Sequence, residues 1–177
     1  MGMNMSGITG QDVKDKNTGK HLQMMKQIMK TISAKSINIK DVPEIFRLLK
    51  EGEEVHDLKK LSADELLVRW INYHLGKLGK DEERVTNLGK DIKNSRALIY
   101  VMTRLDSSLN TDALAIEDEV ERAQKMIDNS KQMGVPHILD GKDFTLANID
   151  LNRIFVSLLF NTKHGLEELN EEEIKKA

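Results

Sequence analysis

Apolar side chains recur in this sequence at the i, i+3, i+4, i+7 spacing of one helix face, and no stretch alternates apolar with polar at the two-residue period of a half-buried strand. That pattern confines the chain to an all-α fold. The clearest start is Leu61-Ser62-Ala63-Asp64-Glu65-Leu66. Ser62 and Glu65 stand at capping-box spacing, and Leu61 with Leu66 at that of a hydrophobic staple. The helix that begins there is predicted to run to about Leu78, with Gly79 placed to end it. Along it Leu66, Leu67, Trp70, Ile71, His74 and Leu75 share one arc, and Glu65, Arg69, Asn72 and Gly76 lie opposite. The run LLVRWINYHL therefore reads as core. Trp70, the chain's one tryptophan, is its anchor, with an indole N–H that needs a buried acceptor. His74 reads as a core-edge histidine rather than a base.

Three further periods follow. Leu98, Val101, Met102 and Leu105 form one stripe on a helix predicted to start near Asn94 or Ser95. Ile116, Val120, Ala123 and Ile127 form the next, with Glu117, Asp118 and Glu119 where negative charge suits a helix N-terminus, and Gly134 and Pro136 to stop it. Leu151, Ile154, Phe155, Leu158 and Leu159 mark the most apolar helix, capped by Asp150 and expected at the centre. The expected core comprises Leu66, Trp70, Ile71, Leu98 and Phe155.

Ahead of position 61, Leu22, Met25, Ile28, Met29 and Ile32 form another amphipathic stripe. Ser36-Ile37-Asn38-Ile39 looks extended, a short Pro43-initiated helix reaches about Lys50, and the acidic run Glu51 to Lys60 looks like a linker. The chain thus divides into a helical arm with linker, residues 1–61, a compact helical domain, 62–164, and an acidic tail, 165–177, read as a frayed or solvated helix. Charge follows the same division. Residues 1–40 carry seven lysines against two aspartates, whereas residues 41–177 carry 20 basic and 27 acidic side chains. The arm is where an acidic partner would be met.

Little in the sequence points to catalysis. With no cysteine, disulfides, thiolate zinc sites and cysteine nucleophiles are excluded. Five Gly-Lys pairs occur, but none follows a glycine at the spacing of a phosphate-cradling loop. Asp12 to Gly19 places Lys14 and Lys16 where a calcium loop needs oxygen ligands. His21, His56, His74, His137 and His164 are scattered, with no His-x-x-x-His pair for zinc. The reading is non-catalytic, without metal or cofactor. The acidic domain lacks a basic patch interleaved with aromatics, which argues against nucleic acid. No apolar stretch approaches the ~20 residues of a membrane span, and a soluble cytoplasmic protein is expected.

The run LSADELLVRWINYHL followed by VTNLGKDIKNSRALIYVMTRL resembles the opening of a calponin-homology domain, specifically the second repeat in the tandem actin-binding unit of fimbrin/plastin proteins. EDEVERAQKMIDNSKQMGVPHIL and DLNRIFVSLLFN resemble that domain's later helices, so the likeness spans about residues 62–163. Upstream, SGITGQDVKDKNTGKHLQMMKQIMKTISAKSINIKDVPEIFRLL resembles the end of the preceding repeat and its linker. The chain would then begin inside a domain, as an excised piece of a longer protein or a naturally shortened one.

The resemblance implies a calponin-homology domain of four main helices plus short helices behind the arm, acting as a non-catalytic actin-binding and bundling module at the actin cytoskeleton. In such tandem units actin is met by the first and last helices of the first repeat and the first helix of the second. Here the last helix of the first repeat is about Lys20–Ala34 and the first helix of the second is Ala63–Leu78, while the remaining element has no counterpart. Lys26, Lys30 and Lys35 on the arm, with Arg69, Lys77 and Lys80 near the domain's first helix, are the candidate contacts to filamentous actin. The sequence departs from the family pattern at Gln23-Met24-Met25-Lys26, where Leu-Gly and a tryptophan are usual, and at Lys93-Asn94-Ser95, where Lys-Asp-Gly is common. The alternative is a calponin-homology adaptor or regulatory repeat that binds a non-actin protein. Without its own domain the arm's apolar stripe is expected to dock on residues 62–164 or to self-associate with a second copy.

Overall fold

The computed structural model describes residues 37–176. Lys26, Lys30, Lys35 and the stripe from Leu22 to Ile32 lie outside them. The described residues form helices and turns without strands: α1 (Val55–Lys60), α2 (Ala63–Lys77), α3 (Arg96–Leu105), α4 (Glu119–Gln132), α5 (Gly141–Thr145), α6 (Ile149–Thr162) and α7 (Glu171–Lys176), with 3-10 helices at Pro43–Leu48, Asp81–Glu83 and Asp112–Ala115.

α2 is set by its ends. Ser62 Oγ accepts from the Glu65 N–H at 3.3 Å while Glu65 Oε2 accepts from the Ser62 N–H at 2.8 Å, closing the capping box. At the other end the Lys80 N–H donates to Leu75 O at 2.9 Å and the Gly79 N–H to Gly76 O at 3.1 Å. That Schellman turn needs a left-handed residue, and Gly79 has φ 64°. Between the caps, α2 buries Leu66, Leu67, Trp70, Ile71, His74 and Leu75. Trp70 is fully buried and donates its Nε1–H to the carbonyl of His164 at 2.7 Å. Its ring stands edge-on to Phe160 at 5.4 Å. α6 adds Phe155, Val156, Leu159 and Phe160 to the same core cluster. Each such side chain contributes roughly 1.5–3 kcal/mol of burial. Leu98 from α3 is fully buried in the same cluster, which Ile37, Ile39, Ile45, Leu48 and Leu58 extend ahead of α2.

Several local readings shift. Ile37-Asn38-Ile39 is not extended, because Asn38 Oδ1 accepts from the backbone N–H of Lys40 and Asp41 and closes a turn. The run read as a linker contains α1, started by a reciprocal cap between Glu54 and Asp57 and held to the core by Leu58. In α4 Val120 is 42% exposed and Arg122 is buried in its place. The Arg122 guanidinium donates to the carbonyls of Asn94, Ile116 and Glu117, while Ala123 and Ile127 of the expected stripe are buried. α6 is capped by Asn148 rather than Asp150, which lies inside the first turn and pairs with Arg153. The short α5 carries the fully buried Phe144, and at Gly141 an added Cβ would meet Val120 O at 2.4 Å, so α4 and α5 touch backbone to backbone. The tail carries the expected helix as α7 and is mostly exposed, but it is also tied down at two points. Leu166 is buried and Arg47 binds Glu173.

Candidate functional site

The outward face of α2 is the floor of a groove of about 580 Å³. Val68, Arg69, Asn72, Tyr73, Gly76 and Lys77 form it, at the spacing of neighbouring turns on one helix face. One wall is the end of the 3-10 helix with Leu49 and Lys50, and the other is Arg84-Val85-Thr86. Both walls are pinned to the floor. The Asn72 amide donates to Val85 O at 2.8 Å and accepts from the Val85 N–H at 2.9 Å. Arg69 grips Glu53 with two bonds, at 2.5 and 2.8 Å, and donates to Leu48 O. Gly76 leaves room for Arg84, whose Nη2 would lie 3.3 Å from an added Cβ.

Five cations line this groove, Arg47, Lys50, Arg69, Lys77 and Arg84, and no carboxylate does. Their acids stand at the rim. The Arg69 guanidinium, with the Lys50 amide, holds the Glu53 carboxyl down to about 2. Lys77 donates to Glu167 at 3.2 Å, which raises the lysine's pKa and lowers the glutamate's. The Lys77 ammonium also lies 5.3 Å from the Tyr73 ring centre. Arg84 pairs with Asp81 at 2.6 Å.

Of the six cations singled out in the sequence, the groove brings together Arg69 and Lys77. Lys80 lies outside its lining, 3.5 Å from Glu82 and over the Tyr100 ring. The side chains differ in availability: Lys77 is 47% exposed, Lys80 37% and Arg69 16%. Arg47, Lys50 and Arg84 are the members that sequence reasoning missed. Leu66, Trp70, Ile71, Leu98 and Phe155 are each at most 4% exposed.

His74 offers no base. Its Nε2 bonds the carbonyl of His164 at 2.9 Å, and burial lowers its pKa to about 4, so the ring is neutral and sealed near pH 7. Among the described residues no three His, Asp or Glu side chains gather to hold a metal ion, and no helix is long and apolar enough to cross a membrane.

Known proteins extend this picture. The calponin homology (CH) domain model matches residues 61–165. Fimbrin from Dictyostelium discoideum is 34% identical over 174 residues, covering 97% of this chain and 28% of that protein. Plastin-1 from Homo sapiens is 32% identical over 183 residues, covering 98% of this chain and 29% of that protein. The chain thus spans less than a third of the length of these relatives. The fold is similar to the crystal structure of the actin-crosslinking core of Schizosaccharomyces pombe fimbrin, with TM-score 0.65 and 24% identity over 93% of this chain and 33% of that one. With a family model that covers well over half of its residues and a helical fold to match, the chain belongs to the calponin homology domain family.

Proposed function

We propose that this chain is a non-catalytic actin-filament binding module of a fimbrin- or plastin-like cross-linking protein, placed at the actin cytoskeleton. The observation that carries the reading is the likeness to fimbrin along 97% of the chain. The cationic groove on α2 supports it, as does the description of the similar S. pombe core as actin-crosslinking. The mechanism is surface binding. Lys77, with Lys80, Arg69 and the arm's Lys26, Lys30 and Lys35, meets acidic side chains of the filament. Such contacts steer association and weaken with salt, since the Debye length is ~8 Å near physiological ionic strength.

Co-sedimentation of the chain with filamentous actin across a salt series tests this reading. Saturable pelleting that fades with salt is expected, and Lys77→Glu or the pair Lys26→Glu and Lys30→Glu should weaken it by roughly fivefold, about 1 kcal/mol. Absence of pelleting at low salt would sink the proposal. It would favour instead a regulatory repeat or an adaptor for a non-actin protein.

The apolar stripe Leu22, Met25, Ile28, Met29 and Ile32 is proposed to bury against residues 62–164 or a second copy, as methionines adapt to irregular surfaces. In sedimentation equilibrium a concentration-dependent dimer that Ile28→Glu dissolves is the expected sign of self-association. A monomer at every concentration would exclude the second copy.

A further inference from the structure

The acidic tail bonds two of the cations that line the groove. Glu167 Oε1 accepts from Lys77 Nζ at 3.2 Å and from the Tyr73 hydroxyl at 3.4 Å. Glu173 receives both terminal nitrogens of Arg47, at 2.5 and 2.7 Å, and Arg47 also donates to the backbone carbonyls of Glu167 and Glu168. Two of the five lining cations are therefore held by residues 167–173. Arg69 and Arg84 are different, because their partners Glu53 and Asp81 lie outside the tail, each three residues in sequence from a wall residue of the groove.

We propose that residues 167–173 are a built-in competitor for the cationic groove, so that an acidic surface must displace Glu167 from Lys77 and Glu173 from Arg47 to occupy it. The inference rests on the reading of the groove as the filament contact, and adds to that reading a means of regulation. Two features suit the segment to this role. It is tethered immediately before the contact: Leu166 is buried, and at Gly165 a Cβ would meet Leu105 Cδ2 at 2.4 Å, so the segment starts from a fixed point and meets the two cations at high effective concentration. The contact is also reversible. Lys77 and Glu167 are about half exposed, and a single exposed pair is weak and screened by salt. The bidentate Arg47–Glu173 pair is the stronger latch. A filament that presents several carboxylates at once replaces both bonds and gains Lys50 besides.

The test is co-sedimentation of the full chain with filamentous actin, comparing the natural protein with a variant carrying Glu167→Gln and Glu173→Gln, each with and without Lys77→Glu. Neutralising the tail is expected to tighten the apparent Kd by about three- to tenfold, because a site closed in most molecules binds with only its open fraction. The gap should narrow as salt rises, since salt opens the latch in the natural protein too. Equal or weaker binding by the neutralised variant overturns the competition, and if Lys77→Glu still weakens binding the groove reading survives it. Lys77→Glu without effect in the neutralised background removes both. Amide exchange in the free protein gives a readout independent of actin. Amides 167–173 should exchange several-fold faster as salt rises, and protection unchanged across the series would likewise overturn the competitor.

Discussion

Ser95 is fully buried at φ 66°, a left-handed conformation that costs a residue with a Cβ roughly 1–2 kcal/mol. It precedes α3 as N-cap, yet its hydroxyl makes no capping bond and has no hydrogen-bond partner. The Arg96 N–H is taken instead by Asn94 Oδ1 at 3.1 Å. The position is the one where the related pattern commonly carries glycine, and its geometry supplies a physical reason: only glycine adopts this backbone without strain. Ser95→Gly relieves the strain and removes an unpaired buried hydroxyl, against a chain-entropy cost of about 0.5–1 kcal/mol. A net gain of about 1 kcal/mol is expected, which for a chain of this size raises Tm by roughly 2–4 °C. Ser95→Ala, which keeps the strain, should gain less. A thermal melt in which the glycine variant unfolds at or below the temperature of the natural protein would contradict this account.

At the scale of elements, what was legible in the sequence is what depends on near neighbours. The start of α2 is a three-residue spacing between Ser62 and Glu65, its end is one glycine, and its buried arc is a periodicity, so all three can be read from the chain. α1 escaped because its cap is built from Glu54 and Asp57, acidic residues that look like solvated linker until their side chains are seen to bond the backbone. One position of α4 was misread for a different reason: Ala123 and Ile127 are buried as the periodicity has them, but Val120 is exposed and Arg122 is buried. Arg122 reads as surface on any hydropathy pattern, and only the carbonyls of Asn94 and Ile116, brought beside it by tertiary packing, make its burial favourable. The groove follows the same division. Arg69 and Lys77 both lie on α2, whose extent the chain itself signals, whereas Arg47 and Arg84 reach the groove from segments on either side of α2. The tail's glutamates signal solvent by composition. What holds Glu173 is Arg47, 126 positions away, a distance that periodicity does not encode.

Across the whole molecule, the carbonyl of His164 ties these parts together by accepting from both Trp70 Nε1 at 2.7 Å and His74 Nε2 at 2.9 Å. The joint sits where α6 hands the chain to the tail, so its integrity sets where the tail starts. It is also sensitive to acid. Burial lowers the His74 pKa from 6.5 to about 4, and the unfolded chain therefore binds a proton that the folded chain refuses between those values. The contribution is fully present above pH 6.5 and is lost as pH falls toward 4, on the order of 3 kcal/mol in all. The carboxylate contributions, such as that of Glu53, fade in a lower window, from its ordinary 4.5 down to about 2. Urea melts between pH 7 and pH 4.5 should accordingly show stability that is flat at the top and falls steadily below 6.5. His74→Gln, which cannot titrate, should be less stable at pH 7 but should lose the slope above pH 5. An unchanged slope in that variant would assign the acid sensitivity to other groups, and a flat profile in the natural protein would mean that His74 is not held neutral by its burial. Because the Leu166 N–H donates to His164 Nδ1 at 3.1 Å, melting of the core and release of residues 167–173 from the groove's cations should begin together on acidification rather than in sequence.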